Sequence, residues 1–223
     1  MNPLTVVQDA LYFFRRHLLA IAALCLPPIV LEALAEQLVA HSTGPKGSPV
    51  FDILVGLLFY PLYTGALILF LDARSHGDNP RTQDLWAMAL RLWPTFALLA
   101  ALNTLCIMLG MSLFVLPGLW VMAKLAFSEY LMVLRGLPPL TAVKQSFLLT
   151  QGHFWRILSC ILLVLVPLWA IDWASSQVYP PEGGNRLVQL VIDSLNSFLQ
   201  LFTTVVLYRL FMLVADPSLR EQR

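Results

Sequence analysis

The sequence predicts an all-α, polytopic membrane protein: a bundle of six transmembrane helices with three amphipathic helices at its cytoplasmic face. Three observations carry that reading. The 223 residues are 58% hydrophobic and only 12% charged, with a mean hydropathy of +0.74, whereas soluble domains carry about 25% charged residues. Six apolar runs approach or exceed the roughly 20 helical residues that cross a hydrocarbon core. The Lys and Arg residues between those runs fall almost entirely on one side. The chain therefore reads as a single integral membrane domain over residues 1–223, with spans at about 17–40, 50–71, 94–116, 118–135, 154–175 and 186–214.

The elements follow in order. Residues 3–16 (PLTVVQDALYFFRR) put Leu4, Val7, Leu11 and Phe14 on one helical face and Asp9, Arg15 and Arg16 away from it. This is the pattern of a helix lying in the headgroup region. The first span contains Pro27-Pro28, and membrane helices tolerate proline where neighbours satisfy the freed carbonyls. Its run from Leu18 to Val39 is longer than the apolar core of a secretory signal, about 7–15 residues, so it is expected to stay in the protein. A Gly/Pro/Ser-rich turn (41–49) leads to the second span, where Gly56, Tyr60, Tyr63 and Thr64 cluster on one side and Pro61 marks a kink. After the polar loop 72–84, Thr82 is placed to cap a second amphipathic helix through Trp93, with Leu85, Met88, Ala89 and Leu92 on one face. Pro94 then opens the third span at a position where proline is favourable.

Pro117-Gly118 is expected to be the tight turn between the third and fourth spans. A third amphipathic helix follows, from Pro139 to Gln151, with Leu140, Val143 and Phe147 opposite Thr141, Lys144, Gln145 and Gln151, and Gly152 stops it. The fifth span carries Pro167, a turn covers 176–185, and the last run, 29 residues from Arg186 to Val214, must tilt or protrude. Each amphipathic segment ends in aromatic or basic residues and feeds a pair of spans. This fits a weak three-fold repeat, and it equally fits the general form of an entry into a bilayer.

With six spans, one side holds eleven of the fourteen Lys and Arg residues: Arg15, Arg16, Arg74, Arg81, Arg91, Arg135, Lys144, Arg156, Arg209, Arg220 and Arg223. The other side holds Lys46 and Arg186, and Lys124 lies within a span. Excess cations mark the cytoplasmic side, so both termini are expected there. The net charge of +1 excludes a global basic field for nucleic acid.

The segment LFVLPGLWVMAKLAFSEYLMVLRGLPPLTAVKQSFLLTQGHFW, together with YPLYTGALILFLDAR and FLQLFTTVVLYRLF, resembles the YciC-like family of bacterial inner-membrane proteins over nearly the whole chain. Residues 116–155 are also similar to the membrane region attached to some glycerophosphodiester phosphodiesterases. The resemblance implies topology and an inner-membrane location and brings no catalytic residues with it. The chain has no room for that enzyme's barrel of roughly 250 residues.

Candidate sites are few. On the last span Arg186, Gln189, Asp193, Asn196, Ser197, Gln200, Thr203 and Thr204 recur at three- and four-residue spacing within one sector. Unsatisfied polar groups cannot face lipid, so the stripe must face the bundle interior. Asp193, Asn196, Gln200, Thr203 and Thr204 then form either the wall of a polar cavity or hydrogen-bonding glue between helices, worth about 0.6 kcal/mol per contact. Lys124 and Glu129 are charges inside the fourth span, a functional signal by default. Five residues apart, they point about 140° away from each other. Lys124 can snorkel outward, and Glu129 can anchor to Arg135 or serve as a ligand or proton site. Glu32, Glu36, Asp52, Asp172, Glu182 and Asp193 gather towards the outer side as an acidic rim open to cations.

No metal site is expected. His17, His41, His76 and His153 lie at span ends or loops on both sides, and Cys25, Cys106 and Cys160 sit singly inside apolar runs without zinc spacing. There is no catalytic motif and no cofactor motif. The expected function is non-enzymatic, either lipid handling or envelope organisation, with a small transporter or channel-like protein using the polar stripe as the alternative. An intramembrane enzyme acting on lipid would have only Lys124, Glu129 and Arg135 at headgroup depth. The expected partners are the bilayer and anionic headgroups contacted by the amphipathic helices. A small-molecule ligand and the oligomeric state stay open.

Overall fold

The computed structural model describes residues 3–43, 49–178 and 186–215. It consists of the helices α1 (Pro3–Arg16), α2 (Leu18–Thr43), α3 (Pro49–Ser75), α4 (Thr82–Leu113), α5 (Val115–Leu125), α6 (Ser128–Arg135), α7 (Pro139–Leu149), α8 (Phe154–Val178) and α9 (Arg186–Ala215). No strand occurs among the described residues. The turns expected over 41–49 and 176–185 lie partly, and the tail DPSLREQR wholly, outside these residues, as do Lys46, Glu182, Arg220 and Arg223.

Five segments are long and apolar enough to cross a membrane: Leu18–Val39, Ile53–Ser75, Thr82–Leu113, Phe154–Gln177 and Leu187–Ala215. Their inner faces bury Ile21, Leu67, Ile68, Phe96, Leu99, Ile157 and Leu201. Their outer faces are equally apolar, with Leu19 85% exposed and Trp155 76% exposed. Water does not tolerate so wide a band of exposed apolar side chains, and lipid does.

Three boundaries differ from the sequence expectation. The amphipathic segment 82–93 and the third span are one continuous helix, α4, running through Pro94. Proline is accepted inside membrane helices, so Pro94 does not mark a start here. Thr82 is the first helical residue, and the capping position is Arg81, which makes no side-chain cap bond.

The hairpin turn is not at Pro117-Gly118. Phe114 alone is extended, and Pro117 falls in the first turn of α5, where a missing N–H costs nothing. Gly118 serves close approach instead of a turn. A Cβ on Gly110 would stand 3.0 Å from the Gly118 Cα, and a Cβ on Gly118 would stand 3.0 Å from the Met111 backbone nitrogen.

The fourth expected span is broken at Ala126-Phe127 into α5 and α6. Neither proline nor glycine makes this break. Ser146 on α7 does the compensating work with one hydroxyl. Its Oγ accepts from the Phe127 N–H at 3.2 Å and donates to the Lys124 carbonyl at 2.7 Å. Ser128 Oγ donates to the Leu125 carbonyl at 2.7 Å. Three backbone groups at the break, the Phe127 N–H and the Lys124 and Leu125 carbonyls, are thus paired inside the protein, as the membrane interior demands. Gly136, in the left-handed region at φ 63°, ends α6, and Gly152, at φ 78°, follows α7 as expected.

The faces of α1 and α7 are also rotated from expectation. α1 packs on α8 and α9 through Val6, Ala10 and Phe14, while Leu4 and Leu11 are exposed. Phe14 meets Phe198 and Phe202 at ring distances of 5.7 and 5.6 Å. On α7 the buried residues are Ala142 and Ser146, with Leu140 exposed. Close helix contacts in membranes select small residues, while large apolar ones suit lipid. An apolar stripe therefore does not identify the protein-facing side.

One end of the bundle gathers α1 with the ends of α3, α6 and α9. Asp9 pairs with Arg209 at 3.7 Å, Ser75 Oγ and the Tyr208 hydroxyl lie 2.9 Å apart, and Arg135 lies 6.0 Å over the Phe211 ring. Arg15, Arg16 and Arg74 belong to the same end.

Candidate functional site

The interior of the bundle holds a cavity of about 550 Å³. Its wall is built by α2, α3, α4, α5, α6, α8 and α9, while α1 and α7 contribute nothing to it. Five of these helices send polar groups inward: Glu32 and Glu36 from α2, Tyr60, Tyr63 and Thr64 from α3, Asn103 and Thr104 from α4, Glu129 and Tyr130 from α6, and Ser197, Gln200, Thr203 and Thr204 from α9.

The break between α5 and α6 positions the centre of this wall. Glu129 falls in the first turn of α6, where the positive end of the helix dipole favours a carboxylate. The Tyr60 hydroxyl donates across to it, 3.1 Å from both Oε1 and Oε2. Asn103 stands beside the same carboxylate, and its Nδ2 donates to Ser128 Oγ at 2.9 Å. The Tyr130 hydroxyl donates to the Thr204 carbonyl at 2.8 Å, locking α6 to the middle of α9. On the other side, Tyr63 stands beside Glu32, whose Oε1 packs over Gly56.

The stripe on α9 divides in two. Gln200, Thr203 and Thr204 line the cavity, and Asp193 and Asn196 do not. Asn196 Nδ2 donates to Asp172 Oδ1 at 3.0 Å and to Ser175 Oγ at 2.9 Å, which ties α9 to α8. Asp193 is half-buried and away from the cavity. The same helix thus carries glue at Asn196 and cavity wall from Ser197 onward. Asn196→Ala is expected to lower unfolding free energy by about 0.6–1.5 kcal/mol and to leave the cavity unchanged. Thermal unfolding in detergent measures this, and an unaltered melting curve would remove Asn196 from the contacts that join the two helices.

Lys124 and Glu129 part company. Lys124 is only 9% exposed, its ammonium 5.8 Å over the Trp120 ring, and it takes no part in the cavity wall. It does not snorkel outward as expected, because α5 ends there beneath α7. Glu129 takes Tyr60 as its partner and not Arg135, which lies over Phe211. Of the expected acidic rim, Glu32 and Glu36 line the cavity and Asp172 joins the Asn196 contact. Sequence reading grouped Gly56, Tyr60, Tyr63 and Thr64 on one face without their destination. It missed Asn103, whose signal was a lone amide in the middle of an apolar run. No group of three or more His, Cys, Asp or Glu placed to hold a metal ion occurs among the described residues.

Comparison with known proteins bears on class alone. The chain is 25% identical over 174 residues to a UPF0259 membrane protein of Yersinia pestis (strain Pestoides F), a match covering 77% of this chain and 65% of that relative. The UPF0259 membrane protein of Yersinia pseudotuberculosis serotype O:3 (strain YPIII) gives the same values. The chain is a multi-pass membrane protein. It spans 65% of the length of these curated relatives. The YciC-like resemblance fits their naming, while the likeness of residues 116–155 to phosphodiesterase membrane regions finds no support in them. No family model matches the chain, and no solved structure matches it.

Proposed function

We propose that this protein is a non-enzymatic relative of the UPF0259 membrane proteins that binds a small polar molecule in its central cavity, as the binding step of a carrier or channel-like activity. One observation carries the reading: polar groups from α2, α3, α4, α6 and α9 converge on a single space of about 550 Å³. Ligand sites commonly occupy about 300–1,000 Å³. A discontinuous helix at such a cavity has precedent as a way of bringing backbone ends and polar side chains to a substrate at mid-membrane. The α5–α6 pair fits that role, crossing the inner membrane as a sixth, broken span. Both termini then share the cytoplasmic side with Arg15, Arg16, Arg74, Arg135 and Arg209, in accord with the cation bias.

A second contact, with lipid, is favoured by α1. Exposed Leu4, Leu11 and Tyr12 adjoin exposed Arg15 and Arg16, which suits anionic headgroups. This serves anchoring and does not compete with the cavity reading.

Native mass spectrometry of the protein released from mild detergent, beside the cavity-filling Gln200→Leu/Thr204→Leu variant, tests the proposal. The expected result is a small molecule retained by the wild type and absent from the variant. Bare protein mass in both, with the variant merely less heat-stable, would reduce the polar wall to structural packing.

A further inference from the structure

Resting on the binding reading above, we propose that the cavity selects an organic ammonium ion, an aliphatic amine carried in its protonated form. Two carboxyl groups, Glu32 and Glu129, line the cavity from opposite sides of Tyr60 and Tyr63, and among the described residues its wall contains no Lys, Arg or His. A charge within a membrane is costly unless it meets a counter-charge. Acidic residues alone would not define a ligand, and a second observation does so independently. Thr64 is fully buried (0% exposed) and Asn103 nearly so, yet Thr64 Oγ1 and Asn103 Oδ1 have no hydrogen-bond partner. Buried polar atoms in folded proteins are overwhelmingly paired. An amide oxygen can only accept, so its missing partner is a donor. An ammonium group brings up to three N–H donors and no acceptor. It is the complement of the Glu32 and Glu129 carboxylates and of the Asn103 amide oxygen.

The remaining surfaces agree. Tyr60 and Tyr63 stand edge to face with ring centres 5.8 Å apart, and aromatic faces attract a desolvated cation. Leu57, Ile107, Ile161 and Leu165 complete the wall and suit an alkyl body. The acidic groups are not gathered closely enough to chelate a metal ion, whereas a molecule with separate polar and apolar parts can bridge them.

Isothermal titration of the full chain in lipid nanodiscs with n-butylammonium, butyrate and n-butanol is the test. The three probes share a carbon skeleton and differ in charge. Butylammonium is expected to bind about tenfold or more tightly than either of the others, and Glu129→Gln is expected to weaken it by a similar factor. Butyrate or butanol binding as well as butylammonium, with all binding lost in the cavity-filling Thr64→Leu variant, would keep the cavity and overturn the ammonium assignment. Butylammonium bound equally by wild type, Glu129→Gln and Thr64→Leu would place it elsewhere and overturn it too. Binding of none of the probes overturns the assignment as well, and the mass-spectrometric result then decides separately whether the cavity holds anything. The probe comparison uses the unaltered protein, so a variant that fails to fold does not block it.

Discussion

Ser146→Ala is expected to destabilise the protein by about 2–5 kcal/mol, more than its size suggests. The deleted atom is one hydroxyl on α7, but it pairs two backbone groups on another element, the Phe127 N–H and the Lys124 carbonyl. Each buried group left without a partner costs about 1–3 kcal/mol, and neither lipid nor water is at hand to replace the bond. Ser146 is completely buried, so solvent cannot intervene. The melting temperature in detergent should fall by roughly 4–20 °C, and Ser146→Thr, which keeps the hydroxyl, should recover most of the loss. Glu129 follows three residues after Ala126, so, if the cavity holds a ligand as proposed, the variant should also release it. A melting curve within a degree or so of wild type would mean that the break between α5 and α6 is held by packing alone.

The second large effect is expected at Gly110. A methyl group there would press on the Gly118 Cα at 3.0 Å and on the Pro117 carbonyl at 3.3 Å, both backbone atoms that cannot rotate aside. Gly110→Val must push α5 away from α4, an overpacking strain of about 3 kcal/mol. Ser112→Ala is the control, since the Ser112 hydroxyl is exposed and bonds only the Leu109 carbonyl within its own helix. Unfolding in graded denaturant should separate the two variants clearly. Indistinguishable midpoints would show that the helix pair has room to spare.

These two sites also mark how far the sequence could be read. The long apolar runs are legible because lipid imposes a length and a composition on any helix that crosses it. The stop after α7 is legible because Gly152 supplies a left-handed conformation other residues avoid. Pro117-Gly118 misled because the same two residues serve a first helical turn and a close contact as well as they serve a hairpin. The break at Ala126-Phe127 left no local trace at all. Its backbone groups are paired by Ser146, twenty residues on, and tertiary hydrogen bonds do not show in local periodicity. For the cavity, periodicity put Gln200, Thr203 and Thr204 on one face and Tyr60 with Thr64 on another. It did not say that the two faces meet. Glu32 and Glu36 read as a rim because their depth was judged along one helix, and their inward direction depends on where α3 sits.

The continuity of α4 has a mechanical consequence. Its 32 residues extend about 48 Å at 1.5 Å per residue, against about 30 Å of hydrocarbon. Asn103, in the cavity wall, and Gln83, exposed at the far end of the same helix, therefore ride on one lever. A small tilt of the rod at the cavity is magnified into a larger sweep of its outer end. A spin label at Gln83 would report, from the end of the rod, what happens beside Glu129.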